Sequence, residues 1–172
     1  QADGRTLIAM GNTAFAMNQL GRRHEAEARW KEVISAAEHK WGPSADAAVS
    51  AHANLGALFA DDARWSEAED AYRSAIAAQI GLIGALKTAG AQYILVPTLP
   101  DMGLTPSAAA GGAQGIALAH GLSTNYNNAL FGGLSSAGLH VIPVDTYHFL
   151  QEVVANPAAF GLTNVTGVAC LT

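Results

Sequence analysis

The chain has 172 residues, half of them hydrophobic, with nine Lys/Arg against fourteen Asp/Glu and a net charge of −5 at pH 7. Its length allows one or two domains at roughly 100–200 residues each, and its acidic balance argues against a surface that tracks nucleic-acid phosphates. No uninterrupted apolar run reaches the ~18 residues of a membrane span, and the single cysteine, Cys170, has no partner for an internal disulfide.

The N-terminal residues, QADGRTLIAM, lack the n-, h- and c-regions of a secretory signal, so no targeting peptide is expected in them. Charge is then distributed unevenly. The first 79 positions hold eight Lys/Arg and eleven Asp/Glu, whereas from Ile80 onward the only charged residues are Lys87, Asp101, Asp145 and Glu152. This seam divides a surface-rich helical half, 1–79, from an interior-rich α/β half, 80–172.

Apolar spacing predicts helices near Arg5–Leu20, His24–Lys40, Ser44–Ala60 and Ser66–Ala89, with Ser66 and Glu69 as a capping box for the last. The half repeats itself. Glu25-Ala26-Glu27 lies 42 positions before Glu67-Ala68-Glu69, and Trp30 the same distance before Tyr72, a period that signals stacked helical hairpins. Gly56 and Ala68 are small enough to let two helices approach, with Phe59, Trp65 and Tyr72 filling the space around them. Tyr72, Ile76, Ile80, Ile83 and Leu86 continue one apolar face through the seam, so the fourth helix is expected to be shared by both halves.

The second copy, Asn54-Leu55-Gly56 to Phe59, then Trp65, Ala68, Tyr72 and Ala75, resembles a tetratricopeptide repeat. Its long spacing is like that of the kinesin-light-chain type, with Trp41-Gly42-Pro43 in the extended turn. Such repeats bind peptides in a concave groove, and the resemblance implies Asn54 and Asp61 as protein-binding residues there. Met10-Gly11-Asn12 looks like the opening of another such motif. The 42-residue register, however, puts Ala14 rather than Gly11 opposite Gly56, which argues against a carboxylate clamp.

Beyond the seam, Tyr93-Ile94-Leu95-Val96 is a short uncharged run between Gly90 and Pro97, the pattern of a parallel strand buried on both faces. A turn-rich loop follows, and Thr105-Pro106 supplies an N-cap with proline at the first helical position. Residues 106–137 are expected to be helical, with breaks at Gly111-Gly112 and Gly132-Gly133, where each glycine costs about 1 kcal/mol relative to alanine. His140–Val144 is a second parallel strand, completing a right-handed βαβ unit. Thr146–Asn156 is a helix stopped by Pro157. Two parallel strands alone lack cover and neighbours, so another chain or a further segment is expected to complete the sheet.

Gly90-Ala91-Gln92-Tyr93, Val96-Pro97, Leu99-Pro100-Asp101, Gly103, Thr105-Pro106, the 138–145 segment and Asn156-Pro157 through Thr166 together resemble the GDSL/SGNH family of ester hydrolases, especially the secreted and autotransporter-type bacterial esterases. The likeness runs over residues 80–172, with Thr98 standing where the family often has Asn. It implies a flavodoxin-like core. It also implies a serine ester hydrolase whose serine attacks an acyl ester, with a histidine as base. The family's Gly-Asp-Ser nucleophile block, oxyanion-hole glycine and Gly-x-Asn-Asp element have no match here, and its Asp-x-x-His would fall beyond Thr172.

No residue is therefore assigned a catalytic role. Asp145 and His148 have acid–base spacing, yet the resemblance puts them at an ordinary strand-to-helix junction. Ser107, Ser123, Ser135 and Ser136 lie outside any Gly-x-Ser-x-Gly elbow and are read as caps or solvated hydroxyls. The six histidines include no His-x-x-x-His pair and Cys170 has no cysteine partner, so neither a metal nor a cofactor is expected. The glycines at 111, 112 and 115 lack the Gly-Lys-Ser/Thr of a phosphate loop.

The expected architecture is α + α/β: two tetratricopeptide-like hairpins followed by a βαβα fragment of an SGNH hydrolase core. The expected function is an ester-hydrolase relative, incomplete and inactive alone, joined to a helical-repeat module; the alternative is an interaction module with a structural α/β tail. A fusion or fragment fits two incomplete halves. The esterase resemblance implies a secreted, surface or periplasmic location, and a dominant repeat module a cytoplasmic one.

Overall fold

A computed structural model describes residues 3–62 and 64–165; Cys170 and the side chains of Trp65 and Ser107 lie outside what it describes. Two compact units emerge, Gln1–Ala91 and Gln92–Thr172. The composition seam at residue 79 falls inside a continuous helix, and the units divide after that helix ends.

The first unit is four helices: α1 (Gly4–Gln19), α2 (Arg23–Trp41), α3 (Asp46–Asp61) and α4 (Trp65–Thr88). Asp3 starts α1 by accepting a hydrogen bond from the Thr6 amide at 2.8 Å. Helices α1 and α2 pack together, α3 lies against both, and α4 packs on α3. Their seams are built of small residues. Ala14, Ala26, Ala37, Ala48 and Ala51 are fully or almost fully buried among Leu7, Trp30, Val33, Leu55, Leu58 and Phe59. A side chain of this size contributes about 1.5–3 kcal/mol when buried, and alanine lets helix backbones close up so that it can be.

Gly56 shows how close the approach is. A Cβ there would stand 2.7 Å from Tyr72 Cε1, so the tyrosine ring lies directly on the α3 backbone. Burial in that slot pushes the Tyr72 phenol up to about 12. Along α4 the buried stripe is Ala68, Ala71, Ala75 and Ala78, followed by Ile83. Ile76 and Ile80 are half-buried and Leu86 is 44% exposed, so alanines carry more of this face than the isoleucines expected to. The capping box at Ser66 does not form. Helix α4 begins one residue earlier with Arg64 at its N-cap and no side-chain cap bond. Arg64 is instead anchored by Glu67, by Glu27 and by the face of Phe59, 4.3 Å away.

The second unit runs β1 (Leu95–Pro97), a 3-10 turn (Met102–Leu104), α5 (Pro106–Ala110), α6 (Gly112–Ser136), β2 (Ile142–Val144), α7 (Thr146–Ala155) and a 3-10 turn at Pro157–Phe160. The strands are parallel neighbours, with Leu95 opposite Ile142, Val96 opposite Pro143 and Pro97 opposite Val144. The Ile142 amide donates to Ile94 O and the Thr98 amide to Val144 O. In a parallel ladder alternate residues point their backbone groups away from the partner. Here those residues are Leu95 and Pro97 on β1 and Pro143 on β2. Each outer edge thus carries a proline, which has no N–H to offer.

Burial on both faces does not occur. Val96 is buried, but Leu95 is 62% exposed, Tyr93 80% and Ile142 46%. Among the described residues only two strands are present, too few to bring a second layer over both faces of the sheet. Thr105 does cap α5, its Oγ1 accepting from the Ala108 amide, with Pro106 at the first helical position. The chain breaks between α5 and α6, where Gly112 has φ +64°. It does not break at Gly132-Gly133. Leu130 and Leu134, both buried, hold α6 against the rest of the unit across that pair, and their burial outweighs the roughly 2 kcal/mol that two glycines cost.

Candidate functional site

The loop leaving β1 is held from two sides by side chains far away in sequence. Along α6, His120, Ser123, Asn127, Leu130 and Leu134 recur at helical spacing on one face. The first three are polar and meet the loop; the last two are apolar and meet the core. Asn127 grips the Leu99 peptide at both ends, accepting from its amide at 2.7 Å and donating to its carbonyl at 2.9 Å. Ser123 accepts from the Met102 amide at 3.0 Å and donates to Ala119 O at 3.1 Å. Ser123 is fully buried, neither a cap nor a solvated hydroxyl, because the turn after Asp101 lies on top of it.

Asp101 is the centre of this arrangement. Only 3% exposed, it accepts from the Gly103 amide on Oδ1 at 3.0 Å, and on Oδ2 from Gln151 Nε2 at 2.8 Å, with His120 Nδ1 3.0 Å away. Burial raises the affinity of this carboxyl for a proton, but the hydrogen bonds from Gln151, His120 and Gly103 together outweigh it and hold the group below the ordinary carboxylate range. Gly103 has to be glycine for the turn to seat. A Cβ there would stand 2.9 Å from Ile116 O and 3.1 Å from both Asp101 Oδ1 and His120 Cβ.

The far side of the loop is tied to α7. Thr98 Oγ1 accepts from the Tyr147 amide at 2.9 Å, and Thr146 Oγ1 donates to Thr98 O. Thr98, the departure from the esterase pattern, is thus a cap for α7 supplied by the neighbouring strand. Asp145 caps the same helix through the His148 amide at 3.0 Å, and its Oδ2 lies 2.7 Å from His148 Nδ1. The hydrogen bonds from the His148 backbone and then its ring keep the Asp145 carboxyl below its usual value. The amides of Tyr147, His148 and Phe149 in the first turn of α7 are therefore already satisfied from within the unit.

Chemically, two carboxylate–imidazole pairs result, Asp101–His120 and Asp145–His148. Tyr147 lies next to both, its hydroxyl 3.0 Å from His120 Nδ1 and its ring 5.3 Å from that of His148. A carboxylate that fixes an imidazole is the orienting half of a hydrolytic triad. The nucleophilic half is missing: among the described residues no serine, threonine or cysteine is hydrogen-bonded to either ring. No group of three or more His, Cys, Asp or Glu is placed to hold a metal ion, and no helix is long and apolar enough to cross a membrane, again among the described residues.

The residues expected to bind protein lie in the first unit. Asn54 is half-buried in a recess of about 230 Å³ with Leu7, Ile8, Asn12 and Trp30. Asn12 precedes it by the 42-residue period, so the repeat places two equivalent amides in one recess. Asp61 is elsewhere, exposed and paired with Arg23 at 3.2 Å. The Asp101 cluster escaped sequence reading because His120, Tyr147 and Gln151 lie 19, 46 and 50 positions after Asp101. The one local signal was a carboxylate closing a turn just past the carboxyl end of a parallel strand.

Set against known proteins, the chain is 47% identical over 72 residues to Esterase EstA of Pseudomonas aeruginosa PAO1, a match covering 42% of this chain and 11% of that protein. Part of this chain is esterase-like. Esterase EstA of Pseudomonas putida matches to the same extent. An uncharacterized protein in the trpE-trpG intergenic region of Pseudomonas putida is 38% identical over 78 residues, 45% of this chain and 13% of that protein. The chain thus covers only about a tenth of the length of these relatives. No family model and no solved structure matches it.

Proposed function

We propose that the α/β unit is a segment of a GDSL/SGNH-type serine ester hydrolase core, one that frames an active site without carrying its nucleophile or its catalytic histidine. The 47% identity to EstA carries this reading. In support, a tied loop sits at the carboxyl ends of two parallel strands, where open α/β sheets place ligand sites. Asp101, Ser123, Asn127 and Thr98 shape that loop; they do not perform chemistry. The rest of such a protein, or another chain, supplies the strands that cover Leu95 and Ile142, and the resemblance favours an extracytoplasmic setting. The chain alone is expected not to turn over p-nitrophenyl butyrate. Turnover abolished by a serine-directed phosphonate would sink the proposal.

A second reading concerns the helical unit, taken as a tetratricopeptide-like module that binds a protein or peptide. The paired amides of Asn12 and Asn54 in one recess favour it. Isothermal titration with a candidate peptide should show saturable binding that Asn54→Ala weakens. Asp61→Lys, outside the recess, tests whether the binding face extends that far.

A further inference from the structure

A second concavity of the helical unit lies on different helix faces from the Asn54 recess, and its lining points to a ligand class. Helices α2 and α4 flank it and α3 forms its floor, an open concavity of about 600 Å³, comparable in volume to the ~300–1,000 Å³ of binding clefts. Ile34, Leu55, Phe59 and Ala71 make the bottom apolar. Both walls are acidic at the rim, Glu38 on α2 and Glu67 with Asp70 on α4. Lys31 is the single lysine or arginine of the lining, and it is engaged by Glu27 at 2.6 Å. Glu38 lies 3.3 Å from His52, and the Asp70 carboxylate makes no ion pair among the described residues. Glu67 is held by Arg64, which leaves Glu38 on one wall and Asp70 on the other, and an apolar floor between these two carboxylates complements a ligand with an apolar stripe flanked on both sides by cations.

We propose that this groove docks a basic amphipathic helix, with leucine-type residues on the floor and lysines or arginines against Glu38 and Asp70. A helix suits it better than an extended strand. Besides its charged rim, the lining offers Ser35, Ser74, His39 and His52 for hydrogen bonding, with His52 already facing Glu38, too few to satisfy a strand's open backbone along its length, whereas a helix satisfies its own. Opposite charge on the ligand and on the rim speeds encounter.

The test uses fluorescence anisotropy of labelled LKKLLKLLKKLLKL with the whole chain, and LEELLELLEELLEL as its acidic counterpart. The basic peptide should bind saturably, more weakly as salt is added, and the acidic one should not. The double variant Glu38→Lys/Asp70→Lys should weaken binding by about tenfold or more. Glu32→Lys, the same charge change at an exposed residue of α2 that is paired with Arg29 and outside the lining, should shift it by less than about twofold. Ser74→Trp, which fills the groove without altering charge, should also abolish docking, with circular dichroism reporting that the helices persist; Ser35→Trp on the opposite wall provides the same test should Ser74→Trp unfold. Equal weakening by Glu32→Lys, or unimpaired binding with the groove filled, would show attraction to net charge alone and overturn the proposal. So would failure of the basic peptide to bind.

Discussion

The two units invert what their compositions suggest. The helical one holds twenty of the chain's twenty-three charged residues, yet it closes a core in which Trp30 and Leu58 are at most 1% exposed. The α/β one is nearly uncharged, yet it leaves Leu95, Phe149 and Ile142 about half exposed or more and buries a carboxylate and a serine. Apolar content gives the material for a core. Whether a core forms depends on having a second layer to press against, which the hairpins provide for each other and a two-stranded sheet does not.

Substitutions can break or sharpen this contrast, and a convenient probe exists: all three tryptophans, Trp30, Trp41 and Trp65, belong to the helical unit, so their fluorescence follows that unit alone. Trp30→Ala should cost the most, about 3–5 kcal/mol, read by urea unfolding followed through the two remaining indoles. If it costs under 1 kcal/mol, the helical core is not closed. Asp101→Ala should cost about 2–3 kcal/mol by leaving the Gly103 amide, Gln151 and His120 without their acceptor. Hydrogen exchange should show lost protection at Leu99, Met102 and Gly103 while tryptophan fluorescence is unchanged. Gly56→Ala should cost about 1–3 kcal/mol by forcing a methyl into the Tyr72 ring, with a lowered melting temperature.

Acid should weaken the helical unit through Glu27. Arg64, assisted by Lys31, lowers its carboxyl from 4.5 to about 2 against an opposing burial effect. A folded value below the unfolded one means that the contribution is complete above pH 4.5 and is lost as pH falls from there to about 2. Urea midpoints should therefore drop across that window, and Glu27→Gln should flatten the drop at a cost of about 1–2 kcal/mol at neutral pH. The smallest effect is the most diagnostic. Leu95→Ser, in the middle of the apolar sequence block, should change the stability of this chain by no more than about 0.5 kcal/mol, since the residue is already 62% exposed.

Local patterns were legible in proportion to how local their causes are. The four helices followed from 3.6-residue spacing and the 42-residue echo, and the parallel strands from two β-prone runs separated by a helical crossover. Ser66 misled because the start of α4 is decided by Arg64, whose anchors Glu27 and Phe59 are in other helices. Gly132-Gly133 misled because leucines on either side outweigh glycine's backbone freedom. The loop site was invisible for the same reason. Asp101 meets His120 and Gln151 only once α6 and α7 have folded onto the turn, and no spacing rule links residues so far apart.

The prolines at the sheet margins constrain what can grow there. Fibril propagation requires an unbroken row of donors and acceptors, copied from one molecule to the next. On one margin Pro97 leaves Leu95 as the strand's remaining outward donor, and on the other Pro143 removes the central one, so a ladder between copies would be interrupted on both sides. The exposed leucine and isoleucine therefore lie on margins that offer few donors to the edge of a second copy.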